Sequence, residues 1–274
     1  MVSFSGGRTS AMMTHILLDQ LKGEDVIVCF ANTGKEEEAT LEFVNNCDKL
    51  WGGVVVWLEF NPDYKKSIVV GPLEEEAFEP YFKIVSFETA SKDGEPFSAL
   101  IKKRKFVPNV MARFCTQELK VRVIKKFMQS LGYKNWINVV GFRYDEPRRW
   151  RGKSGPVNKQ TWENWFPLVE MRINKPDVLA FWKKMPFDLE LKEYQGNCDV
   201  CFLKGQKKLK HIAREAPEKM DWWINEEKKT GATFSKRYSY ENFRQRVINS
   251  PELFDNLDQL IDDPTAIDCF CNVD

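Results

Sequence analysis

The sequence predicts an α/β protein built on a parallel sheet of five strands sandwiched by helices. Three observations carry this: short, continuously apolar runs rich in β-branched residues, amphipathic helical stretches between them, and glycines that close helices. Residues 2–5 read as a minimal strand, followed by a turn and a helix over 9–22 that ends at Gly23. Residues 25–32, carrying VIVCFAN, form a buried strand. The next helix is expected to hold Glu36, Glu37 and Glu38 in its first turn, where carboxylates suit the positive end of the dipole. Its apolar positions Phe43, Val44, Cys47, Leu50 and Trp51 share one face, which makes Cys47 a core residue, as is Cys29 in mid-strand. Residues 54–60 (VVVWLEF) are the third strand, and 61–113 read as an insertion covering the sheet edge. An amphipathic helix over 116–131 uses Ile124, Phe127, Met128 and Leu131 and closes at Gly132. Residues 136–142 (WINVVGF) and 166–170 (FPLVE) supply the fourth and fifth strands. From about 215 the chain turns Lys/Glu-rich and helical, so a first domain over 1–215 and a helical Cys-bearing extension over 216–274 are expected.

Composition narrows the chemistry. The chain has 274 residues, 43% hydrophobic and 30% charged, with a net charge of +1, as in an ordinary globular protein. No apolar run approaches a membrane span and no leader precedes the first strand, so a cytoplasmic setting without membrane contact is expected. Positive charge is bunched at 102–105 (KKRK), 148–153 (RRWRGK) and 204–210 (KGQKKLK); such runs read either as solvated faces or as a surface that suits a nucleic acid or another polyanionic acceptor. Seven cysteines without a leader point to metal or redox chemistry rather than disulfides. With two histidines, His15 and His211, a histidine-based metal site or dyad is not expected.

The stretch Ser5-Gly6-Gly7-Arg8-Thr9-Ser10, between a strand and a helix, reads either as a plain turn or as an anion cradle. Glycines let the backbone approach a ligand, and the first amides of the helix point at it. Three hydroxyls add hydrogen bonds, and Arg8 adds charge. Cys198-Asp199-Val200-Cys201 has metal-ligand spacing that fits zinc, an iron–sulfur cluster or a redox dithiol. Cys115 stands just before the helix expected to open at Thr116, where the dipole favours its thiolate, and Cys269 and Cys271 lie near the end of the sequence.

The pattern S-G-G-x-x-S on a first strand resembles the pyrophosphate loop of the ATP pyrophosphatases, and SFSGGRTSA is similar to the phosphoadenosine phosphosulfate (PAPS) reductase family, in its phage and prophage branch. FANTGKEEEATLEFV, FETASKDGEPFSALI, RFCTQELKVRVI, GFRYDEPRR and GNCDVCFLKGQKKL extend the resemblance, in order, over roughly 1–215. It implies a sheet of order 3-2-1-4-5, of the PP-loop or HUP type. In that order the first and fourth strands are neighbours where the winding reverses, so the glycine turn and Gly141-Phe142-Arg143-Tyr144-Asp145-Glu146 converge on one crevice. Arg143 would face the phosphates, and Asp145 and Glu146 would hold Mg²⁺ or orient Arg143. Asn32, Thr33 and Gly34 would lie beside the adenosine. Arg8, Arg143 and Glu146 are the catalytic candidates. Relatives by fold carry iron–sulfur clusters, which supports a [4Fe–4S] cluster on Cys115, Cys198, Cys201 and Cys271, with Cys269 as the other choice of fourth ligand; zinc on the same thiols, or unligated cysteines, are the alternatives. The Glu-Cys-Gly motif of thioredoxin-dependent PAPS reductases is absent. The expected activity is an ATP pyrophosphatase that adenylates an acceptor for sulfur transfer from a donor or reductant protein. Release of sulfite from PAPS and a regulatory nucleotide-binding module without turnover are the other two readings.

Overall fold

The computed structural model describes residues 1–65, 69–70, 74–75, 79–157 and 160–249, and Cys269 and Cys271 lie outside them. The chain divides into two compact units. Among the described residues, the first comprises those within 1–32, 38–90 and 122–190; the second comprises 33–37, 91–121 and 191–249.

The first unit is an α/β domain around a mixed, mostly parallel sheet of seven strands. In chain order these are β1 (Val2–Ser3), β2 (Val28–Asn32), β3 (Val55–Phe60), β4 (Phe82–Val85), β5 (Trp136–Val140), β6 (Gly155–Pro156) and β7 (Trp162–Trp165). Their spatial order is β4-β3-β2-β1-β5-β7-β6. The five inner strands are parallel, whereas β4 pairs antiparallel with β3, and β6 with β7. Val2 of β1 sits opposite Val28 on one side and Val139 on the other, so the first strand is central. All five residues of β2 are buried, as a parallel strand covered on both faces requires.

Two corrections concern the sheet. It has seven strands rather than five, because short antiparallel strands cap both edges. The fifth parallel strand is Trp162–Trp165, and Pro167–Glu170, expected within that strand, is a one-turn helix. Proline has no N–H for a ladder, and its fixed φ suits the first position of a helix. The true strand was hidden by Asn164, a polar residue that faces inward. Its side-chain carbonyl accepts 2.8 Å from the Asn138 amide of the neighbouring strand, which satisfies the buried group.

Helix α1 (Arg8–Gln20) follows β1, and α2 (Glu38–Leu50) follows β2. Glu36 and Glu37 precede α2 instead of opening it. Phe4, Phe30, Phe43 and Trp182 are fully buried, with Phe43 and Trp182 edge-to-face at 4.8 Å. The indole N–H of Trp182 donates to the Arg8 carbonyl at 2.9 Å, which ties helix Lys175–Trp182 to the first turn of α1.

The second unit is helical: Glu95–Arg104, Gln206–Glu215, Met220–Thr230 and Tyr240–Asn249 are its longer helices. Trp223, Phe234 and Tyr240 form its core, with Trp223 and Phe234 centroids 4.8 Å apart. Phe114–Thr116 leads into a π-turn over Gln117–Val121, a wider helical turn found disproportionately near functional positions. Among the described residues no helix is long and apolar enough to cross a membrane.

Candidate functional site

In the first unit, β1 delivers the chain into the Ser5–Ser10 turn at the carboxyl end of the sheet. Gly6 takes φ +79°, a left-handed conformation that favours glycine. A Cβ on Gly6 would stand 2.8 Å from Thr40 Cγ2 and 3.1 Å from Val44 Cγ2, so this glycine lets the turn press onto α2. Gly7 is the N-cap of α1 at φ −100° and ψ 157°, extended backbone that any residue adopts. Ser10 reaches back: its Oγ accepts from the Ser5 amide at 3.2 Å, lies 2.9 Å from Ser5 Oγ, and donates to the Gly7 carbonyl at 3.0 Å. These bonds hold the turn in one shape. The opening amides of α1, at Arg8, Thr9 and Ser10, have no carbonyl one turn earlier in the helix to bind, which makes them available to an anion.

The segment after β5 comes to the same place. Gly141 packs on Ser10 so closely that an added Cβ would lie 2.9 Å from Ser10 Cα. Arg143 Nη1 donates to Thr9 Oγ1 at 3.5 Å. Its Nε donates to Asp145 Oδ1 at 2.9 Å, its Nη2 lies 3.5 Å from Glu146 Oε1, and its backbone amide donates to Glu146 Oε2 at 3.0 Å. Glu146 also accepts from Arg149 at 2.7 Å, and Asp145 Oδ2 from the Lys175 amide at 3.3 Å. Both carboxylates therefore orient arginines.

Arg8 is engaged elsewhere. Its guanidinium forms a bidentate pair with Asp188, at 2.6 and 3.0 Å, and donates to the Leu189 carbonyl. Asp188 carries no motif that would have marked it in the sequence. Asn32 ends β2 buried, with its amide donating to Glu59 at 2.6 Å.

In the second unit, Thr33 donates from its amide and hydroxyl to Glu36, at 2.9 and 2.8 Å, and Lys120 meets the same carboxylate at 3.1 Å. A Cβ on Gly34, at φ +81°, would lie 3.1 Å from Gly94 Cα. The strand-like segment around Glu36 bridges antiparallel to Cys198. Lys35 pairs with Asp199, inside the C-x-x-C knuckle, at 2.8 Å. Burial pushes the Asp199 carboxyl up, opposed by Lys35 and by hydrogen bonds from Trp223 and the Val200 amide. Cys198 and Cys201 are buried and Cys115 is half-buried. Cys115 lies within the turn Phe114–Thr116 rather than just before it. Among the described residues no three His, Cys, Asp or Glu side chains stand together as a metal site. Of the expected cluster or zinc ligands, Cys115, Cys198 and Cys201 are described, and the fourth, Cys271 or Cys269, lies outside the described residues. Cys29 and Cys47 are fully buried core thiols, as the periodicity predicts.

No family model matches the chain, and no solved structure matches it. It is 33% identical over 213 residues to a protein described as "uncharacterized nin region protein ORF290" of Escherichia phage lambda, an alignment that covers 76% of this chain and 67% of that protein. With a third of the aligned residues identical, in an alignment that includes most of this chain and two thirds of the phage protein, the chain belongs to the family of the lambda nin region protein ORF290.

Proposed function

We propose that this protein is an adenine-nucleotide enzyme of the PAPS reductase type, one that cleaves ATP between its α- and β-phosphorus and passes AMP to an acceptor. The observation that carries the proposal is the meeting of the Ser5–Ser10 turn with Arg143 at the carboxyl ends of two adjacent parallel strands, where the winding of the sheet reverses. The β- and γ-phosphates would lie on the opening amides of α1, with the helix dipole and Arg143 facing them. An acceptor oxygen attacks the α-phosphorus, forming a new P–O bond as the α–β bridging P–O bond breaks. Pyrophosphate leaves with the electron pair. Charge grows on it in the transition state, so prearranged donors lower the barrier. Glu146 and Asp145 act as positioning residues that hold Arg143 in place. Arg8, neutralised by Asp188, is assigned the smaller share. The basic runs favour a polyanionic acceptor, which would then meet a sulfur nucleophile.

Calorimetric titration with ATP tests this. Gly7→Val is expected to weaken ATP binding at least tenfold while leaving the fold intact, because the Gly7 backbone is already compatible with a side chain. Arg143→Ala should weaken it more than Arg8→Ala. ATP affinity unchanged by Gly7→Val and Arg143→Ala would sink the proposal, and sulfite released from PAPS without pyrophosphate from ATP would redirect it to the reductase reading.

A further inference from the structure

We infer that the second unit contains a separate binding cleft for a nucleotide unit, a phosphate joined to an aromatic base. This goes beyond the ATP site and stands without it. The cleft has a volume of about 300 Å³, at the small end of ligand pockets, and is formed by the loop around Met111, the segment after the C-x-x-C knuckle and the turn 234–240.

Its polar side is positive. Lys204 is 6% exposed, and its ammonium donates to the Cys198 carbonyl at 2.6 Å. It makes no ion pair among the described residues. A buried ammonium with two donors left over and no counter-ion among the described residues is costly, and an anion in the cleft would relieve that cost. Gly205, next in the chain, caps the ten-residue helix Gln206–Glu215, whose first turn has no acidic residue to compete for an anion. Lys236 and Arg237 line the same cleft, exposed and likewise without an ion pair among the described residues.

Its other side is apolar and preformed. Tyr238, half-buried, lines the cleft with its ring stacked on Phe243 at 4.8 Å, whereas Phe234 and Tyr240, stacked at 5.6 Å, are fully buried and serve as its packed support. Glu227 fixes this wall by accepting from the amides of Phe234, at 2.9 Å, and Tyr240, at 2.7 Å. Met111, 79% exposed, also lines the cleft. Cations and a partly exposed tyrosine ring lining one cleft are what stacking recognition of nucleotides uses, whether the nucleotide is free or part of a single strand.

The test uses the full chain, a fluorescein-labelled ten-residue oligothymidylate, and AMP as competitor, in a Gly7→Val background so that the first unit's turn does not contribute. The expected result is oligonucleotide binding that Lys236→Glu with Arg237→Glu weakens at least tenfold at unchanged melting temperature. The slope of log affinity against log salt should fall by about 1.4, roughly 0.7 for each single-strand phosphate that the protein no longer neutralises. Met111→Asp should also weaken binding. Competition by AMP at comparable concentration identifies a free nucleotide as the ligand, and displacement only by longer strands identifies nucleic acid; both support the cleft. Binding of neither probe, or binding indifferent to all three substitutions, overturns it. Binding that is present in the wild type and lost with Gly7→Val alone also overturns it, by assigning the anion to the other unit.

Discussion

Single residues divide here into those whose chemistry is set by burial and those set by a partner. Cys29 belongs to the first kind: burial pushes its thiol up to about 12, because a thiolate in the sheet interior would be desolvated. Cys47 is pushed up for the same reason. Below the ordinary thiol range both folded and unfolded chains keep the proton, and stability is complete. Above about 9 the unfolded chain releases it while the folded one does not, so stability falls as pH rises, until the folded thiol ionises near 12. Each such thiol contributes about 1.4 kcal/mol of loss per pH unit in that window. Urea unfolding of the wild type and of Cys29→Ala at intervals from pH 8 to 11 checks this; the variant should start less stable but lose stability more slowly, by about that slope. Parallel curves would refute the account. Arg8 and Arg143 belong to the second kind. The sequence offers both for phosphate, yet Arg8 is committed to Asp188, 180 residues away. Nothing local to Arg8 announces that partner, because ion pairs are made by tertiary approach.

At the scale of elements, the glycine turn and α2 show why a motif can serve two purposes. Gly6 reads in the sequence as a glycine for ligand approach, but its hydrogen faces Thr40 and Val44, so its first duty is the packing of turn on helix. Gly6→Ala should cost about 1–2 kcal/mol for the left-handed backbone and about 1–3 more for overpacking. Gly23, at φ +95° with open space around it, isolates the backbone share. Gly23→Ala is therefore expected to shift the urea midpoint clearly less than Gly6→Ala; equal shifts would show that the contact with α2 is unimportant. Gly141 is the complementary lesson: it lies inside a motif legible in the sequence, yet its role, allowing β5 to lie against Ser10, emerges only once the two strands are neighbours. The displaced fifth strand has the same origin. FPLVE is apolar enough for a strand, but a proline without an amide donor starts a helix, while WENW needs Asn138 across the ladder before its buried asparagine makes sense.

For the whole molecule, each unit has its own core, and the second is centred on a charged network as well as on aromatics. Lys35 and Asp199 are paired at 2.8 Å with side chains 11% and 9% exposed. Removing one partner strands the other's charge, so Asp199→Ala should destabilise the protein by about 3–5 kcal/mol. Adding Lys35→Met should recover part of that loss. Hydrogen exchange read by mass spectrometry should locate the damage: peptides from 191–249 exchange faster in Asp199→Ala, while β2 keeps its protection. Unchanged exchange in 191–249 would mean that the pair is not a keystone of that unit.

What the amino-acid order determined by itself is whatever rests on short-range pattern. It placed most of the parallel strands, the long helices, the buried cysteines, and a glycine turn between strand and helix, because periodicity and turn chemistry act within a few residues. Tertiary structure decided the rest: the two antiparallel edge strands, the partners of Arg8 and Lys35, the division of the chain into interleaved units, and the approach of Arg143 to Thr9. Each of these joins residues distant in the chain, and their energies exist only after the backbone has brought them within a few ångströms of one another.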